Sequence, residues 1–327
     1  MEEEMNSNRY THCFVALFLI IAAVALGRFV LLSLVQYSYM DGEFPWWMQQ
    51  KDYVHMKSDK QEIIFLGDSR MKAGIIPEKV CENAYNLAVG GGTTVEMYYS
   101  LRDYLQFHPK PEMVVMGFAI VHYVGEGCFT SRDLYFHFLP LKNQLEAQYI
   151  GYKKCGWQFS KFKAKVIDTL KYALLFPQKY SASCINSKFK RGEWNRSQFE
   201  KNAKDKGHMY FGMNESDGNF NGDAGINFIL DARNDFYMRK IIALCKNHEI
   251  PFFIEQLPMN TVSWEKLQET NCYPSLKNYL NSLALETGIP VELAIPCYEP
   301  ECFGDASHLN PRGAERFSAE IKEKYGL

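Results

Sequence analysis

An excess of charge of either sign is missing from this chain. Its 327 residues carry 36 Lys and Arg against 38 Asp and Glu, a formal net charge of -2. That balance gives no reason to expect a nucleic-acid partner. Internal repeats, heptads, low-complexity tracts and long charge runs are missing too, so a solenoid, a coiled coil or a disordered tail is not the main architecture. No Cys-x-x-Cys or Cys/His cluster has zinc spacing. Neither a G-x-G-x-x-G fingerprint nor a GK[ST] phosphate loop occurs. No metal and no cofactor is expected. What the chain does have is apolar residue, 47% of the total. Its length suits one large α/β domain plus an appendage.

The first appendage is at the N-terminus. Cys13 to Val35 is almost wholly apolar, broken mainly by Arg28. At ~1.5 Å per residue it is about 35 Å long, enough to cross a ~30 Å hydrocarbon core. Arg28 lies within two turns of the far end and can snorkel to the headgroups. A cleaved signal peptide competes, because Ala23-Val24-Ala25 fits an A-x-A site. The apolar run resumes at Phe29-Val30-Leu31-Leu32, which favours an uncleaved transmembrane anchor over residues 13–35 behind a short cytoplasmic tail, residues 1–12. Arg9 is offset by Glu2, Glu3 and Glu4, so the positive-inside signal is weak. A short tail before a single anchor usually stays inside. The expected location is therefore the cell membrane, single-pass, with the large part extracytoplasmic.

Nine cysteines do not decide the compartment. Cys297 and Cys302 are close enough in sequence to pair, and buried free thiols are an equal alternative. Residues 36–60 read as a juxtamembrane linker. Its Trp46-Trp47 pair suits either a membrane interfacial belt or a loop docked on the main domain.

Beyond Lys60, short apolar runs alternate with amphipathic stretches. Strands are expected at Glu62–Leu66, Tyr85–Val89, Met113–Phe118 and Pro251–Gln256, with a weak fifth at Pro290–Leu293. Helices are expected at Thr93–Phe107, Asp231–Asn247, Tyr273–Thr287 and Pro311–Lys324. Two-sided apolar strands between helices indicate an α/β domain, residues 61–327, with a parallel sheet covered on both faces. An insertion at about 122–225 interrupts the alternation. It is aromatic and basic, with a helix over Lys161–Phe176 and a loop-like, Gly/Asn/Asp-rich end over Gly207–Gly225. An insertion of that length reads as a lid, a binding wall, a docking surface or plain helical decoration.

Three stretches carry candidate chemistry. Ile63 to Gly74 reads IIFLGDSRMKAG and puts Gly67-Asp68-Ser69 at the carboxyl end of a strand, where parallel sheets present ligands. A serine hydroxyl needs a base and an oxyanion site before it becomes a useful nucleophile. Asp305-Ala306-Ser307-His308, in a loop before the last helix, supplies a histidine and a carboxylate at a spacing that fixes the imidazole tautomer. Taken alone, that pair also reads as a helix-entry loop with capping groups. His122, after the third strand, is the rival base by position. Gly90-Gly91-Gly92, between the second strand and a helix, can expose backbone amides or form a tight turn.

In their order and location the three stretches resemble the SGNH, or GDSL-like, hydrolase and acyltransferase superfamily. The Gly-Asp-Ser block falls on Gly67, Asp68 and Ser69. The second-block glycine falls on Gly91, and the Asp-x-x-His block on Asp305 and His308. The resemblance covers Glu62–Phe118 and Asp231–Tyr325. It implies a three-layer flavodoxin-like fold, Ser69 as nucleophile, His308 as base, Asp305 as its orienting acid, and an oxyanion site from the amides of Ser69 and Gly91. The family's third block often supplies an asparagine after strand three; here Ala119 stands in its place and has no side-chain donor. The anchor and insertion resemble the membrane-bound branch that includes the DltD proteins of teichoic-acid D-alanylation and AlgX- or PatB-like polysaccharide O-acetyltransferases. That branch implies transfer of an acetyl or D-alanyl group on a cell-envelope glycan or teichoic-acid-like polymer, beside a multi-pass membrane acyltransferase. A hydrolase deacylating a glycan or lipid, and a degenerate scaffold or polymer-binding protein, remain the alternatives.

Overall fold

The computed structural model describes residues 2–216 and 225–327. Met1 of the expected tail, and 217–224 of the expected Gly207–Gly225 loop, lie outside the described residues. The labelled elements are α1 (Glu2–Leu34), α2 (Phe44–His55), β1 (Ile63–Gly67), α3 (Ser69–Gly74), β2 (Ala84–Asn86), α4 (Thr94–Phe107) and β3 (Met113–Gly117). Then come α5 (Leu141–Lys154), α6 (Phe159–Leu170), α7 (Gln178–Ser187), α8 (Gly192–Lys204), α9 (Ala232–Asn247) and β4 (Phe252–Ile254). The chain ends with β5 (Met259–Asn260), α10 (Cys272–Thr287), β6 (Cys297–Tyr298) and α11 (Pro311–Tyr325). Shorter helical turns connect several of these.

The architecture is α/β and mostly helical. Four parallel strands pair in the order β2-β1-β3-β4, with Ile63 opposite both Ala84 and Met113, and Val114 opposite Phe252. Successive strand side chains point to opposite faces, and here both faces are covered. Ile64, Leu66, Val114, Met116 and Ile254 join one buried cluster with Val95 and Tyr99 of α4 and Ile241 of α9. Ile63, Phe65, Met113 and Val115 join a second with Met71 of α3 and Phe317 and Ile321 of α11. Two-sided burial is why these strands read as unbroken apolar runs.

Local signals set the helix ends. α4 opens with a capping box: the Glu96 carboxylate accepts from the Thr93 amide at 2.8 Å and the Thr93 hydroxyl from the Val95 amide at 3.3 Å. Asp231 caps α9, and Asn310 with Pro311 opens α11. The expected fifth strand, Pro290–Leu293, shrinks to one parallel bridge between Ile254 and Val291. The Glu292 carboxylate takes the amides of Leu293 and Ala294, both at 2.9 Å, so the chain turns out of the ladder. Cys297 and Cys302, which the sequence allowed to pair, form no disulfide.

Within α1, Tyr10–Leu34 is long and apolar enough to span a membrane. Arg28 does not stand alone: it donates to the Phe176 carbonyl and the Ser181 hydroxyl, both at 3.1 Å.

Within residues 36–60, expected as a juxtamembrane linker, Tyr39, Met40, Phe44, Trp47, Met48 and Val54 pack into the buried cluster, whereas 55–60 are mostly exposed. Trp47 of α2 is wholly buried, edge-on to Phe136 and Phe138 of the insertion at 5.9 and 4.9 Å. The tryptophan pair is therefore docked on the domain rather than set in an interfacial belt. The insertion is continuous with the same core through Tyr135, Phe136 and Phe138. Removing a fully buried indole leaves a cavity the fold cannot close, so Trp47→Ala is expected to cost about 3–5 kcal/mol. Denaturant unfolding of the full chain in detergent measures it.

Candidate active site

Ser69 begins α3 immediately beyond β1. Glycine is needed at position 67 because a Cβ there would lie 2.1 Å from the Gly117 carbonyl oxygen of β3. Asp68 is fully buried. Its Oδ1 accepts from the Arg70 amide at 2.9 Å, capping α3, and its Oδ2 accepts from the Ala119 amide at 2.7 Å. Asp68 thus ties the ends of β1 and β3 together and turns Ser69 outward. The rival histidine, His122, places Nε2 3.4 Å from Asp68 Oδ2 and so belongs to this strap.

The fold brings Ser69, His308 and Asp305 into one chain of hydrogen bonds. The loop holding His308 is closed by the Gly304 amide on the His308 carbonyl at 2.8 Å and by Asn260, whose Nδ2 donates to the Ala306 carbonyl at 2.7 Å. Asp305 Oδ1 accepts from the amides of Ser307 and His308 at 2.7 and 2.8 Å. Oδ2 is left for His308 Nδ1 at 2.8 Å, and His308 Nε2 lies 2.7 Å from Ser69 Oγ. Half-burial of Asp305 acts to raise its pKa, but the hydrogen bond and charge of His308 and the two amides outweigh it and hold the carboxyl well below the usual range. In the neutral imidazole, the carboxylate selects the tautomer with its proton on Nδ1, and the Nε2 lone pair then faces the serine O–H.

Two aromatic residues that no sequence motif flags support the imidazole. Phe211, from the end of the insertion, stacks on His308 with ring centroids 4.4 Å apart at 23°. Trp46 of α2 packs edge-on behind Phe211 at 5.6 Å.

Around the serine, the Ser69 amide opens a helix and has no intrahelical acceptor. Gly91 has φ +69, and a Cβ there would meet Cys128 Sγ at 2.4 Å and Arg132 Nη1 at 2.6 Å. Among the described residues the Gly91 amide donates to no protein acceptor. Ala119 adds no side-chain donor, and its amide is already given to Asp68. The guanidinium of Arg132, from the insertion, fixes the glycine loop instead. It donates to the Gly90 carbonyl at 2.7 Å and pairs with Glu43, just ahead of α2, at 2.6 Å.

Lys72, one turn after Ser69, is fully buried. Its Nζ donates to the carbonyls of Gly207 at 2.7 Å and Ala88 at 3.3 Å and to Asn202 Oδ1 at 3.3 Å. Burial pushes the ammonium down from 10.5 to about 7, against the opposing charge of Glu43. The folded-state value lies below the unfolded one, so between about pH 7 and 10.5 the unfolded chain holds more protons than the folded chain. Stability from this group should therefore rise with pH across that window. The melting temperature of the wild type, relative to Lys72→Met, is expected to climb from neutral to alkaline pH; a constant difference would contradict this.

Among the described residues no group of three or more His, Cys, Asp or Glu side chains is placed to hold a metal ion. A cavity of about 640 Å³ opens between Tyr53, Glu62, Asn83 and Tyr85. It sits at the amino ends of β1 and β2, opposite Ser69, whereas ligands of parallel sheets bind at the carboxyl ends. No protein-family model matches this chain, and no curated protein matches it.

Proposed function

We propose that this chain is a membrane-anchored, extracytoplasmic serine acyltransferase or esterase of the SGNH type. The observation that carries the proposal is the continuous relay from Asp305 Oδ2 through His308 to Ser69 Oγ, with links of 2.8 and 2.7 Å. These lengths are already within the range needed for proton transfer. The strand order β2-β1-β3-β4, extended by the bridge from Ile254 to Val291, agrees with the 2-1-3-4-5 order of flavodoxin-like sheets.

In this reading Ser69 Oγ attacks the acyl carbonyl while His308 Nε2 takes its proton, and Asp305 holds the imidazolium that forms. The carbonyl oxygen, now negative, accepts from the amides of Ser69 and Gly91. His308 returns the proton to the leaving group, giving an acyl ester on Ser69. A second oxygen nucleophile then repeats the sequence in reverse, either a hydroxyl of the acceptor or water. The acyl group belongs to the acetyl or D-alanyl class, and the acceptor is a cell-envelope polysaccharide or teichoic-acid-like polymer. A multi-pass membrane acyltransferase would be the donor-side partner. The apolar helix Tyr10–Leu34 supports a site held near the envelope.

The test uses the full-length chain with an activated acyl ester and a polysaccharide acceptor. Wild type should yield acylated polymer or free acid, and Ser69→Ala neither. Acylated polymer identifies the transferase, and free acid alone identifies the hydrolase. Equal yields from wild type and Ser69→Ala would refute both.

A further inference from the structure

The insertion meets α1 before that helix ends. Arg28 bonds to Phe176 and Ser181, and Phe29 packs edge-on to Phe176 at 5.3 Å. Arg28 is six residues before Leu34, the last residue of the span, so the contact lies about 9 Å back along the helix axis. A bilayer has interfacial layers several ångströms thick outside its hydrocarbon. Whatever part of the insertion stands beside Arg28 must therefore stand at bilayer depth.

The residues around that contact suit such a position. Leu170, Leu174 and Leu175 lie just ahead of Phe176 and are 36%, 58% and 67% exposed. On α7, Ile185 follows Ser181 by four residues, on the same helix face, and is 72% exposed. Phe189, 48% exposed, packs on Tyr39, whose hydroxyl donates to the Leu32 carbonyl of α1. Large apolar side chains gathered at one place on a surface mark a contact site. Lys171, Lys188 and Lys190 are exposed among them, matching anionic headgroups. Apolar side chains with a lysine fringe are the pattern of an interfacial segment.

We infer that the insertion is a second membrane contact, with Leu170, Leu174, Leu175, Ile185 and Phe189 seated in the lipid interface of the leaflet from which α1 emerges. This rests on reading Tyr10–Leu34 as a membrane span. It would hold the domain in one orientation on the bilayer, where a single flexible tether would leave it free to swing.

Full-length protein in nanodiscs of phosphatidylcholine and phosphatidylglycerol, doped with a photoactivatable phosphatidylcholine, tests the inference. Cross-linked residues are then mapped by mass spectrometry. Lipid adducts are expected on 10–34 and also on 170–175 and 185–189. Leu174→Glu combined with Leu175→Glu should lower adducts at 170–175 about tenfold, with unchanged adducts on 10–34 and an unchanged melting temperature in detergent. Adducts confined to 10–34 would overturn the second contact and leave the span standing. Adducts on neither segment would overturn both. Unchanged adducts at 170–175 in the double variant would remove those leucines from the contact.

Discussion

His308→Gln is expected to lower turnover of an activated acyl ester by about 10⁴-fold or more, with little change in the melting temperature. Glutamine retains hydrogen-bonding groups near Ser69 Oγ and Asp305 Oδ2 but accepts no proton at neutral pH, so Ser69 is left as an ordinary alcohol. The surrounding loop does not depend on the imidazole. Asp305 Oδ1 still takes the amides of Ser307 and position 308, the Gly304 amide still reaches the 308 carbonyl, and Asn260 still holds Ala306. Loss of turnover with an intact fold therefore isolates the proton transfer. Turnover within a few-fold of wild type would mean that the 2.7 Å contact between His308 Nε2 and Ser69 Oγ is not part of the chemistry.

Gly91→Ala is expected to lower turnover by about 10²–10³-fold, the scale of losing one oxyanion donor. Two costs converge at this position. With φ at +69 the backbone sits in the left-handed region that disfavours a side chain, and the added methyl would lie 2.4 Å from Cys128 Sγ and 2.6 Å from Arg132 Nη1. Arg132 cannot move away easily, because it is held by Glu43 and by the Gly90 carbonyl. The loop must shift instead, and the Gly91 amide shifts with it. Adding Cys128→Ala removes the nearest atom and should restore part of the activity; Cys128→Ala alone should be close to wild type. Full activity in Gly91→Ala would remove Gly91 from the oxyanion site.

The parts of this molecule that the sequence discloses are those set by local pattern. Ile63-Ile64-Phe65-Leu66 and Met113-Val114-Val115-Met116 read as strands because both of their faces are buried, so neither alternates. Asp305 and His308 are three residues apart in one loop, so their contact is legible without the fold; their meeting with Ser69, far away in the chain, depended on motif order. Contacts between remote segments left no such trace. α2 reads in sequence like a linker because its buried face is partly polar: Gln49 donates to the Tyr85 hydroxyl and Gln50 to the Asn86 carbonyl, both at 2.7 Å. Polar residues satisfied in a core look in sequence like polar residues facing water. Phe211 and Arg132 lie in the insertion, outside every motif, and acquire their places only when the insertion folds back over His308 and Gly91. Ala119 was legible as a missing donor, but the use of its amide by Asp68 was not.

A fluorophosphonate probe measures directly whether Ser69 is a nucleophile activated by His308. Full-length wild type is exposed to the probe, digested, and the modified residue mapped by mass spectrometry beside Ser69→Ala. One phosphonylated residue is expected, Ser69, with no labelling of Ser69→Ala. Wild type labelled no faster than Ser69→Ala, or labelled elsewhere to the same extent in both, would contradict it.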